Sequence, residues 1–184
     1  MSTKTIVETR PALATGVWNL DPVHSQIGFA VEYGVGTFRG SFSPVEARLE
    51  ATEDGQATLT GKAPVAGVKV QDENLLAHLQ SPEFFDAERT PEIRFTSNAV
   101  ERSGDEIKIT GDLEIKGQTQ SVEATGTVAD PAEDAHGNVR FGLKLETVVD
   151  RTRFGLDWNM ALPNGQPALA NDVTLSAELY FVKE

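Results

Sequence analysis

The chain has 184 residues, enough for one domain with a substantial core, at 39% apolar and 24% charged. Lys and Arg number 16 against 28 Asp and Glu, and the net charge of −12 repels phosphate backbones, which argues against nucleic acid as a partner. There is no cysteine, so disulfides, thiol nucleophiles and thiolate metal sites are excluded together.

Residues 1–16 read as a flexible N-terminal arm with no apolar periodicity, and residues 17–184 as one domain. The opening residues show no apolar core of a secretory signal, and no stretch approaches the roughly 20 apolar residues of a membrane span. The expectation is a cytoplasmic protein without stable membrane insertion.

From Trp18 onward the apolar period is two. In "QIGFAVEY" Ile27, Phe29, Val31 and Tyr33 share a face. "TFRGSFSPVEARLE" starts with Phe38 and Phe42 in register, then changes parity to Val45, Ala47 and Leu49, which predicts a bulge at Ser43-Pro44. "ATLTGKAPV" aligns Leu59, Gly61, Ala63 and Val65. "DENLLAHLQ" (72–80) breaks the pattern: Asp72 can cap a helix whose Leu75, Leu76 and Leu79 form one stripe. "EIRFTSNAV" puts Ile93 and Phe95 together, "EIKITGDLEI" alternates Ile107, Ile109, Gly111, Leu113 and Ile115, and "SVEATGTV" alternates Val122, Ala124, Gly126 and Val128. The cluster "DPAEDAHGN" reads as a turn before "VRFGLKLETVV". "RTRFGLDWNMALPNG" (151–165) reads as a loop or short helix, and "DVTLSAELYFV" is the last strand.

About eight amphipathic strands in one small domain predict an all-β fold, a single antiparallel eight-stranded barrel with short helical end segments. The small inward residues Gly61, Ala63, Gly111, Ala124, Gly126 and Ala177 leave two outcomes open: a cavity for one small ligand, or a core filled by bulky neighbours such as Phe95 and Phe141.

Signals for catalysis are weak. "DPVHS" groups Asp21, His24 and Ser25, but no nucleophile elbow follows and triad members normally converge from separate elements. The plain reading is a turn into the first strand with His24 at the rim. His78 and Asp86 with His24 lack metal-ligand spacing, His136 lies in a polar turn, and no glycine-rich phosphate loop opens a helix. The residues read as a binder with no catalytic residues, metal or cofactor.

Five stretches in order resemble the YceI-like family of polyisoprenoid-binding, lipocalin-like barrels: "WNLDPVHSQIGF", "GTFRGSF", "LAHLQSPEFFDAERTPEIRF", "GDLEIKGQTQSV" and "RTRFGLDWN". The resemblance runs from Trp18 to the end of the chain. It implies a lipocalin-like barrel whose interior takes a long-chain isoprenoid or similar amphiphilic lipid, of polyprenyl phosphate or quinone type, for transport, storage or sequestration. It also implies a bacterial source and allows a homodimer, for which no apolar stripe marks an interface. Many family members carry a signal peptide, and after Trp158-Asn159 most continue through a Gly-rich turn where this chain has "MALPNGQPALAND".

For such a lipid the candidate lining residues on strands are Phe29, Val31, Phe95, Phe141, Leu143, Leu145, Leu179 and Phe181. Leu79, Phe84, Phe85, Phe154 and Trp158 would join them from the end segments, and Arg39, Arg153 or Asn159 would meet a polar head at the mouth. The stretch 76–95 is then a cover, with His78, Asp86 and Glu88 holding its loops. Two alternatives stand beside this: a lipid-modifying enzyme using His24 or His78, and a ligand-free dimeric interaction or stress module with a filled core.

Overall fold

The structure, a computed structural model, describes residues 12–184; residues 1–11 of the expected arm lie outside it. The described part of the arm is not loose throughout. Leu13 is 2% exposed in the core, and Trp18 Nε1 donates to Ala14 O at 2.9 Å.

The described residues form eleven antiparallel strands: β1 (Gly16–Leu20), β2 (Gln26–Tyr33), β3 (Gly36–Phe42), β4 (Glu46–Ala51), β5 (Ala57–Pro64), β6 (Val68–Lys69), β7 (Glu92–Ser103), β8 (Glu106–Ile115), β9 (Gln118–Glu133), β10 (Val139–Asp150) and β11 (Leu169–Lys183). Eight of them close a ring in the order β1-β4-β5-β7-β8-β9-β10-β11, with β11 pairing back to β1. Closure leaves no exposed edge around the ring.

Strand β11 is long enough to serve two partners on the edge opposite β10. Its last residues, Leu20↔Phe181 to Trp18↔Lys183, pair with β1, while Leu169 to Glu178 pair with β2. Strands β1 and β2 are therefore halves of one kinked strand, split at residues 21–25. Strands β3 and β4 are split the same way at Ser43-Pro44, which brings Phe42 and then Val45 and Leu49 inward, as the parity change predicts.

Two further irregularities interrupt the ladders. The β7–β8 register shifts between Ser97 and Ala99, and the buried Ser97 Oγ accepts the Leu59 amide at 2.8 Å. Strand β9 runs through "DPAE", which reads as turn in the sequence, because Asp130-Pro131 fall at a register shift where a missing N–H is tolerated. The turn itself is confined to the residues around Asp134, whose N–H donates to Asn138 O.

The interior divides along the barrel axis. Toward the end carrying residues 21–25 and Gly137, Leu13, Trp18, Leu49, Phe141, Leu143 and Phe181 pack solidly. The Phe141 ring stacks on Phe181 at 5.1 Å and meets Trp18 edge-on at 4.8 Å. Toward the other end several inward residues, among them Phe29, Phe38, Ile93 and Phe95, keep partial exposure. Along β11 the series runs from half-buried Val173, Leu175 and Ala177 to Leu179 at 5% and Phe181 at 0%. The barrel is filled in one half and hollow in the other. Two small residues add nothing to the hollow: a Cβ on Gly111 would strike the Phe95 ring and Thr96 O, and one on Gly126 would strike the β10 backbone at Lys144.

The helix α1 (Glu73–Gln80) forms where the sequence predicts it. Asp72 caps it by accepting the Leu75 amide at 2.9 Å, and Leu79 is buried with Leu75 and Leu76 beside it. No helix among the described residues is long and apolar enough to cross a membrane.

Candidate functional site: a half-hollow barrel and its two covers

The hollow half encloses a cavity of about 510 Å³. Its walls follow from strand parity. Strand β2 contributes Ile27, Phe29 and Val31; β3 contributes Phe38 and Phe42; β10 contributes Leu145, Thr147 and Val149; β11 contributes Val173, Leu175, Ala177 and Leu179. Its floor is the layer of Leu59, Leu145 and Leu179, beneath which the filled half begins.

Two segments cover the open end. The first is α1 with the following loop to Pro91. Ser81 N and Oγ both bond His78 O, Phe85 N donates to Leu79 O, and Thr90 Oγ1 donates to Phe85 O at 2.7 Å and Asp86 O at 3.0 Å. These bonds fold the loop back so that Phe84 and Phe85 point inward, with Phe85 edge-on to Phe42 at 5.7 Å. The loop is thus held by Ser81 and Thr90, not by the side chains of Asp86 and Glu88. His78 does take part, with Nε2 2.6 Å from Glu83 Oε2.

The second cover is the 3-10 turn Arg151–Phe154 and the loop to Ala168. Arg151 is buried, with no carboxylate partner among the described residues. Its guanidinium donates to four carbonyls: Ala170 from Nε, Leu156 and Trp158 from Nη1, and Leu169 from Nη2. Burial pulls its pKa below the usual guanidinium value. Arg151 continues the inward parity of Leu145 and Val149, a signal of alternation that the sequence carries and that Arg153 shares without entering the lining. The covers meet at His78, whose ring is edge-on to Phe84 at 4.9 Å and to Trp158 at 4.8 Å. Lys116 fastens both, its Nζ donating to Pro82 O at 2.7 Å and Gly155 O at 3.3 Å. Lys116 and Gly117 both have positive φ, the two-residue hairpin geometry that sends β8 back as β9 and holds the ammonium between the covers.

The candidate lining residues therefore separate. Phe29, Val31, Leu79, Phe84, Phe85, Phe95, Leu145, Phe154, Trp158 and Leu179 line the cavity. Phe141, Leu143 and Phe181 do not; they belong to the filled half. The polar candidates Arg39, Arg153 and Asn159 are not among the lining residues, each side chain being placed or engaged elsewhere. Arg39 alternates with the inward Phe38 and is exposed. Arg153 Nη2 is bound to Gln120 Oε1 at 2.8 Å. Asn159 donates to Leu169 O and accepts Leu169 N, fixing the loop. The polar residues lining the cavity include His78, Arg151 and Tyr33, whose hydroxyl lies 3.5 Å from Met160 Sδ.

His24 sits at the opposite, filled end. Its Nδ1 is 2.7 Å from Asp21 Oδ2, which Arg140 Nη1 also contacts at 2.7 Å, and Ser25 Oγ accepts the Tyr180 amide. These bonds hold the Asp21 carboxyl at a pKa of about 2, the His24 contact first and Arg140 next. "DPVHS" is a turn anchor.

The barrel of eight antiparallel strands is thus filled at one end and carries an apolar cavity at the other, under two hydrogen-bonded covers. The YceI-like domain matches residues 18–181, and the chain belongs to that family. A UPF0312 protein of Staphylococcus epidermidis is 27% identical over 171 residues, covering 89% of this chain and 96% of its own length. Among solved structures, Burkholderia cenocepacia BcnA superposes with a TM-score of 0.74 at 20% identity, covering 88% of this chain and 98% of that one. A polyisoprenoid binding domain from Saccharophagus degradans, implicated in plant cell wall breakdown, superposes at 0.70 with 10% identity, covering 91% and 98%.

Proposed function

We propose that this protein binds the tail of a long-chain isoprenoid or similar amphiphile in the hollow half, for transport, storage or sequestration. The observation that carries the reading is the cavity itself: about 510 Å³, walled by apolar side chains and closed below by a packed core. Each methylene buried there contributes about 0.8 kcal/mol, so the tail supplies most of the affinity and the head group adds selectivity. A prenyl phosphate or a prenyl quinone would place its head at the mouth, beside Tyr33, His78 and Trp158. The Saccharophagus degradans neighbour, described as polyisoprenoid-binding, supports the same class of ligand.

Binding without turnover is the reading the histidines support. His24 lies at the filled end, and His78 is packed between two aromatic rings with its Nε2 against Glu83. A homodimer fits the proposal without being needed by it, since the cavity is built from one chain.

Organic extraction of protein purified without detergent, followed by mass spectrometry, tests the proposal. A stoichiometric prenyl or quinone species is the expected result. An extract that holds no lipid, even after incubation with prenyl phosphates and prenyl quinones, overturns it.

A further inference from the structure

Resting on the proposed lipid binding, we infer that the outer face beside the cavity mouth docks on the surface of a zwitterionic bilayer and hands ligand across by contact. Two hairpin tips form this face. The first joins β2 to β3 at Gly34 and Val35. The second is the loop 160–168 of the second cover, closed by the bridge between Ala161 and Pro167 and by Leu162 N, which donates to Gln166 O at 2.8 Å. The tips stand side by side. Leu169 pairs with Tyr33, Gly34 N donates to Ala168 O at 2.9 Å, and the Tyr33 hydroxyl meets Met160 Sδ. Gly34 and Gly165 have positive φ, the turn backbone that lets each tip project.

Three features suit the face to a bilayer. It is apolar and uncovered: Val35 is fully exposed, and Tyr33 and Met160 are 44% and 49% exposed. It is also free of charge. Residues 33–38 and 158–171 contain no Asp, Glu, Lys or Arg, in a chain where 24% of residues are charged, and Glu32, Arg39, Asp157 and Asp172 bound the face with both signs. The net charge of −12 repels anionic head groups, so this face approaches a zwitterionic surface more readily than an anionic one. Finally, the face is continuous with the cavity, because Tyr33 and Met160 are at once exposed and part of the lining. A tail that leaves through water exposes each methylene at a cost of about 0.8 kcal/mol, whereas at this face it passes from one apolar environment to another.

The test loads the native chain with a dansyl-tagged prenyl alcohol and follows its transfer to phosphatidylcholine vesicles that carry a quencher. The rate should rise in proportion to vesicle concentration, and fall when part of the phosphatidylcholine is replaced by phosphatidylglycerol. Val35→Asp and Gln166→Glu put a charge on each tip at exposed positions outside the lining. Both should slow transfer severalfold while the dissociation constant of the alcohol stays unchanged. A rate independent of vesicle concentration, faster transfer to phosphatidylglycerol, or native rates in both variants overturns the inference and leaves lipid binding standing. So does a Val35→Asp chain that sediments as a smaller species than the native one, which would assign the face to a second copy. With no ligand present, vesicles of brominated phosphatidylcholine should quench Trp158 at the mouth in the native chain and not in Val35→Asp. Equal quenching in both, or none in the native chain, overturns docking whether or not the alcohol binds. Failure of the native chain to take up the alcohol removes the binding proposal instead.

Discussion

The imidazole of His78 stands edge-on to the indole of Trp158, ring centroids 4.8 Å apart and planes at 90°. One residue belongs to the helix of the first cover and the other to the loop of the second, so this contact joins two segments eighty positions apart. Phe84 completes the group, 5.4 Å from Trp158. An aromatic contact of this kind is worth about 0.5–1.5 kcal/mol, enough to hold the covers together and too little to lock them.

Lys116 acts on the same joint from outside the cavity. Lys116→Met removes the two hydrogen bonds to Pro82 and Gly155 and keeps the side chain to within one heavy atom of its length. Amide exchange in segments 81–90 and 153–160 should accelerate severalfold and bound lipid should dissociate faster, with global stability reduced by about 1 kcal/mol. Unchanged exchange in both segments would show that Lys116 fastens neither cover.

The two halves of the barrel predict opposite responses to truncation. Phe181→Ala empties space in a packed layer and should cost about 3–5 kcal/mol in urea unfolding, leaving the ligand-free cavity walls in place. Leu175→Ala removes a side chain that already faces void, so its cost should fall at or below the low end of the 2–5 kcal/mol range, while lipid affinity drops. Equal costs for the two would mean that the hollow half is as tightly packed as the filled one.

Acid should weaken the closed end first. Asp21 titrates near 2 in the folded chain against an ordinary 3.8, so its stabilising contribution is complete above the ordinary value and is lost as pH falls through about 4 toward 2. Asp134 is held well below the carboxylate range by Arg140 and adds to the same slope. Asp21→Asn should melt lower at neutral pH and lose less than the native chain between pH 5 and 2, as followed by thermal melts. Parallel pH profiles would contradict the assignment.

Much of the architecture is legible from alternation. Phe29, Val31, Leu175 and Leu179 point inward as their period predicts, and Asp72 announces the helix by capping chemistry. What alternation does not carry is which inward residues meet a partner across the barrel. Phe29 and Phe141 have the same local pattern, yet Phe141 is stacked on Phe181 and met by Trp18, partners 40 and 123 positions away, whereas Phe29 borders open space. Cavity and filled core are not alternatives in this barrel, which has both, one at each end. Charge alone does not show whether a side chain is free. Arg153 and Asn159 are engaged in the loop, and Arg151, two positions before Arg153, is the arginine that turns inward.

The chain has two tryptophans, one in each half: Trp18 is 1% exposed in the filled core, and Trp158 lines the cavity mouth. Quenching by a benzoquinone carrying a four-unit prenyl tail therefore reports where a ligand sits. The account predicts saturable quenching in the native chain that disappears in Trp158→Phe, where Trp18 alone emits, while a dye-displacement titration shows that the variant still binds. Saturable quenching that persists in Trp158→Phe would place the ligand beside Trp18 and contradict a barrel hollow only at its covered end.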